Sequence, residues 1–93
     1  MQRRLDEVVK RHASLVERLS APDLNPKELS ELNKERVRLE PIVETYTALN
    51  SKREELAGNK ALLDDGDAEI RGMAKEEIAR LDDEIEALEQ KLK

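Results

Sequence analysis

Few residues of this chain could do chemistry, and most of those are acids. His12 is the only histidine, and there is no cysteine. An imidazole serves as a general base or a metal ligand, but either role needs company. A metal site would call for a second His or a Cys, and a triad for a nucleophile with an ordered base. His12 has neither, and it falls on an apolar stripe, so it reads as a structural histidine. Asp64, Asp65, Asp67 and Glu69 crowd around Gly66. A calcium loop sets oxygen ligands at alternate positions and closes on a bidentate Glu near the twelfth. This cluster is too short and its glycine is misplaced. Helix termination followed by N-capping accounts for the same acids, which could also face a basic partner.

The remaining candidates fare no better. Glu76-Glu77 and Asp82-Asp83-Glu84 could pair as acid and base only in a walled, dehydrated pocket that shifts their pKa values. They read instead as solvated helix faces. Tyr46, the one aromatic residue, would need further aromatics and basic side chains to stack a nucleobase. It reads as a core residue where helices meet. There is no glycine-rich phosphate loop. We therefore assign no catalytic, cofactor-binding or metal-binding residue, and the chain is expected not to be an enzyme.

The elements that would carry these residues are helices. Leu5, Val8, Val9, His12, Leu15, Val16 and Leu19 recur at helical spacing and predict a helix over about 2–19. Pro22 cannot continue it. A second helix starts with Asn25 as N-cap, Pro26 at the first position and Glu28 where a capping-box acid belongs. Its stripe runs through Leu29, Leu32, Leu39, Ile42 or Val43, Tyr46, Leu49, Leu56 and Leu63 at coiled-coil spacing. Arg36, Arg53 and Lys60 interrupt that seam. Pro41 lies inside it and removes one backbone hydrogen bond, so the helix either kinks or breaks there. The stripe keeps its phase across Pro41, which favours a kink. Gly58-Asn59 is a second weak point. Gly66 can take positive φ to end this helix near 64, and Asp67 can cap a third over about 67–92. The third stripe is Ile70, Met73, Ala74, Ile78, Leu81, Ile85, Leu88 and Leu92.

Short connections make neighbouring helices antiparallel. The second helix spans roughly 55–60 Å at 1.5 Å per residue, longer than either outer one. The expected architecture is all-α: an elongated antiparallel three-helix hairpin or coiled coil with a long, kinked central helix, one domain over 1–93. Apolar positions along its seam stay partly uncovered, open to a homodimer or another partner.

Composition agrees with this plan. Of 93 residues, 42% are charged and 1% aromatic, so Leu, Ile and Val must build the core alone. The net charge is −5 without a strongly basic block. Phosphate tracking needs clustered Lys and Arg, so no direct nucleic-acid binding is expected. No stretch approaches the ~20 apolar residues of a membrane span, and the N-terminus lacks a signal-peptide core. A cytoplasmic location is expected.

The order of motifs adds a resemblance. Leu29, Leu32, Lys34-Glu35, Leu39-Glu40-Pro41-Ile42-Val43 and Tyr46 are followed by Leu62-Leu63-Asp64-Asp65. Then come Glu69-Ile70-Arg71, Met73-Ala74 and Glu76-Glu77. Together they resemble the N-terminal helical domain of bacterial class I peptide chain release factors. The closer match is the release factor 1 type, which reads UAA and UAG stop codons. The family's Pro-x-Thr and Gly-Gly-Gln motifs do not occur here, so no decoding or hydrolysis residue carries over. The resemblance implies a fragment of a longer factor and a role in translation termination. As partners it implies the stalk-base region of the ribosome and the GTPase release factor. The alternative is a free-standing coiled-coil adaptor that acts by homo-oligomerisation.

Overall fold

The computed structural model describes residues 2–93. Three α-helices follow one another: α1 (Gln2–Leu19), α2 (Pro26–Ala61) and α3 (Ala68–Lys91). Among the described residues there is no strand, as the all-α reading requires. A single 3-10 turn, Leu62–Asp64, tightens the end of the second helical run. The chain divides into two compact units, residues 1–44 and 45–93, and α2 contributes to both.

In the first unit, α1 stops as its last carbonyls are taken up by the turn. The Ser20 and Ala21 amides donate to the Glu17 and Arg18 carbonyls at 3.1 Å, and the Ser20 hydroxyl donates to the Val16 carbonyl. Arg18, in the last turn, sits where the helix dipole favours a cation. The start of α2 follows the expected cap. Asn25 Oδ1 accepts the Glu28 amide at 2.8 Å, and Glu28 Oε1 accepts the Asn25 side-chain amide at 2.8 Å. The glutamate thus returns to the cap's side chain rather than to its backbone N–H. Arg18 pairs with Glu28 and Arg11 with Glu35. Seven residues back along α1 meet seven forward along α2, so the hairpin is antiparallel. Leu5 and Leu15 form its buried core.

The α2 helix passes through Pro41 without interruption. The break is thereby excluded as an outcome. The second unit buries Tyr46 and Leu49 from α2 and Ala74 and Leu81 from α3. Tyr46 is only 3% exposed, which suits a packing role and leaves no face for a base.

The connection to α3 departs from expectation at Gly66. No described glycine has positive φ, so Gly66 does not end the helix through a left-handed conformation. The reversal is made by Asp65 in an extended conformation, with its amide bonded to the Leu62 carbonyl. Asp65 Oδ1 accepts the Asp67 amide, and Asp67 Oδ1 accepts the Glu69 amide, capping α3. Arg71 reaches back to the Asp65 carbonyl at 2.6 Å. Three further positions depart from the apolar stripes. Val16 and Leu29 are about half exposed and Met73 points to solvent, while its neighbour Ala74 is buried. Adjacent helical residues lie on different faces, so only one of Met73 and Ala74 can look inward.

Gly58 and Gly72 lie inside α2 and α3, and a Cβ added at either meets nothing within 4 Å. Replacing each with alanine should stabilise its helix by about 0.5–1 kcal/mol, by removing backbone entropy from the unfolded chain. Thermal unfolding of Gly58→Ala and Gly72→Ala should show raised midpoints; a lowered midpoint would mean that these backbones are not free helical positions.

Candidate functional site

The charged residues that the structure draws together form ties across each hairpin. In the first, the Arg11 guanidinium grips Glu35 in a two-pronged contact, Nε to Oε2 at 2.5 Å and Nη2 to Oε1 at 2.9 Å. Next to it, Glu40 Oε2 meets His12 Nε2 at 2.9 Å and accepts from Arg36 Nη1 at 3.0 Å. The only histidine thus shares the Glu40 carboxylate with Arg36 in a three-membered polar cluster at the edge of the leucine seam.

In the second hairpin, Glu84 is the hub. Its Oε1 accepts from Arg80 on its own helix, while its Oε2 lies 3.1 Å from the Lys52 ammonium on α2. That Oε2 is shielded from solvent. Arg80 is also bound by Glu77. Arg53, one of the residues that interrupt the seam, turns to Glu89 at 3.5 Å. Arg36 pairs with Glu40, its i,i+4 neighbour and so readable along one helix, whereas the partner of Arg53 lies on α3, where only the register of two helices selects it.

These contacts shift the acids in one direction. Glu35 is held below the usual carboxylate range by its hydrogen bond from Arg11. Glu40 is lowered mainly by its contact with His12, with Arg36 adding to it. Glu84 is lowered mainly by Lys52 and further by Arg80, against some desolvation. Lys52 is raised in turn, chiefly by Glu84. Such shifts describe ion pairs that hold helices together. None pushes a carboxyl upward or an amine downward, as general acid-base chemistry near neutrality requires.

Of the acids around Gly66, Asp65 and Asp67 cap backbone amides. Among the described residues, no three His, Asp or Glu side chains are grouped to hold a metal ion. No described helix is long and apolar enough to cross a membrane.

An apolar surface is left over beside the turn of the second unit. Leu62 and Met73 are 42% and 62% exposed. They flank a depression of about 360 Å³, completed by Asn59, Ile70, Ala74 and Glu77.

Comparison with known proteins decides the family. The PCRF domain matches residues 8–93. The chain belongs to the PCRF domain family. Its relatives include peptide chain release factor 1 of Geobacillus kaustophilus (strain HTA426), 44% identical over 93 residues. That match covers 97% of this chain and 26% of the relative. Peptide chain release factor 1 of Bacillus subtilis (strain 168) is 40% identical, with the same shares covered. That of Listeria monocytogenes serotype 4a (strain HCC23) is 42% identical over 96 residues, covering 100% of this chain and 27% of the relative. The chain thus spans about a quarter of the length of these relatives and corresponds to their N-terminal region. No solved structure matches it. The resemblance drawn from the Leu39–Val43 string and the motifs around it is therefore correct at the level of the family.

The lowered acids of this PCRF domain give its stability a definite pH dependence. A carboxylate whose folded pKa lies below its unfolded value stabilises the fold above the unfolded value, here near 4.5. That contribution disappears as pH falls through the folded values. The melting temperature should hold between pH 7 and about 5.5 and drop progressively below about 4.5. Glu84→Gln should melt lower than the parent at pH 7 and lose less on acidification. A midpoint that rises on acidification would contradict these assignments.

Proposed function

We propose that residues 1–93 act as one helical contact domain at the N-terminus of a release factor that directs termination at UAA and UAG codons. The observation that carries this reading is the family match over residues 8–93, together with identities of 40–44% to relatives named peptide chain release factor 1. In this reading the domain faces the stalk-base region of the ribosome and the GTPase release factor. It supplies neither the codon-reading nor the hydrolytic groups, and it works in the cytoplasm.

Two features of the molecule support a contact role. The charged groups beside the helix seam form ion pairs between helices, and Asp65 and Asp67 form caps. Its charge is unevenly placed: residues 1–44 carry nine basic and nine acidic side chains, and residues 45–93 carry eight and thirteen. The whole formal charge of −5 thus falls in the second unit. Such a surface repels phosphate and suits protein partners. A free-standing adaptor that acts by self-pairing has no comparable support, because the matched relatives are named peptide chain release factor 1 and the chain covers only 26% of their length.

A termination assay on stalled ribosomes tests the reading. The full-length parent factor should release peptide at UAA and UAG and not at UGA. The 93-residue chain alone should release none and should leave a labelled ribosomal RNA fragment unshifted at physiological salt. Release at UGA, or none at either of the other codons, would overturn the proposed specificity.

A further inference from the structure

The groove beside the turn of the second unit is not used by the fold. Its two lips, Leu62 and Met73, are among the most exposed large apolar side chains of the chain, and its floor is Ile70 and Ala74. Exposing apolar side chains at both lips leaves hydrophobic surface uncovered that a partner would remove from water. The charge around it is one-sided. Residues 62–77 hold six acids and two bases. One of those bases, Arg71, is turned into the chain reversal, where it donates to the Asp65 carbonyl. Asp64, Glu69 and Glu76 are exposed, and no ion pair among the described residues engages them.

We propose that this groove binds a basic amphipathic segment of a partner protein, with apolar side chains seated between Leu62 and Met73 and Lys or Arg side chains directed at Asp64, Glu69 and Glu76. The occupant follows from charge complementarity. A nucleic acid would bring phosphates against uncompensated carboxylates. A second copy of this chain would bring the same acidic rim against itself, and like charges brought face to face oppose association. A basic helix satisfies both the apolar lips and the acidic rim, in the manner of an amphipathic helix laid into a groove. Such an interface should be steered by charge and weakened by salt, since exposed charges are screened beyond about 8 Å at physiological ionic strength.

The inference stands apart from the termination reading, because a factor could direct release with this groove unused. Its test contains no ribosome. The probe is a fluorescein-labelled synthetic helix of Leu and Lys in amphipathic order, with a Leu/Glu helix of the same pattern as control, titrated against the 93-residue chain. The Leu/Lys helix should bind, and the Leu/Glu helix should bind at least about tenfold more weakly. Met73→Ser should weaken binding about fivefold or more, and the triple variant D64N/E69Q/E76Q should weaken it and flatten its salt dependence. Val37→Ser, an exposed apolar position in the first unit, should leave binding unchanged. Circular dichroism checks that each variant keeps its helices, and amide shift changes should centre on residues 59–77. Equal binding of both helices, indifference to Met73→Ser, or a chain dimer that Met73→Ser dissolves would overturn the proposal.

Discussion

Everything in this molecule depends on a narrow leucine seam. Among the described residues six side chains are buried: Leu5, Leu15, Tyr46, Leu49, Ala74 and Leu81. With no Phe or Trp to contribute area, each of these carries an unusual share of the burial that offsets chain entropy. The long polar side chains compensate at the edges of the seam. Arg36, Lys52 and Arg53 lay their aliphatic stems near it and send their charged heads to Glu40, Glu84 and Glu89. Exposed pairs of this kind contribute little singly. Here they also fix the register, since a slip of one residue along either helix would separate Arg11 from Glu35 and Lys52 from Glu84.

That economy also sets what the polar groups beside the seam do. A reactive carboxyl or imidazole must be withdrawn from water and left incompletely paired. In this fold the single histidine is engaged by Glu40, and Glu35, Glu40 and Glu84 beside the seam are engaged by Arg11, by Arg36 and His12, and by Lys52 and Arg80. Beyond the seam lie a formally neutral first unit, an acidic second unit, and the groove between Leu62 and Met73.

Much of this was legible along the chain. Asn25-Pro26-Glu28 and Asp67 announce two helix starts because capping is a local interaction between neighbours. The unbroken phase of the stripe across Pro41 foretells the continuous α2. The Leu39–Val43 string with its downstream motifs points to the family. Other features could not be read in this way. Whether Met73 or Ala74 faces inward depends on the rotation of α3 against α2, and both fit the stripe. The partners of Arg11, Lys52 and Arg53 lie 24 to 36 residues away, where only the hairpin register selects them. Gly66 marks the turn correctly, but aspartate side chains build the reversal that a left-handed glycine was expected to make.

The central claim is that the seam, rather than the charged edges, carries the fold. Urea unfolding of Leu81→Ala, a fully buried position on α3, tests it most directly. The account predicts a loss of about 2–5 kcal/mol, enough to melt much of the helical signal of so small a domain. A loss below about 1 kcal/mol would contradict it and shift the weight to the ion pairs.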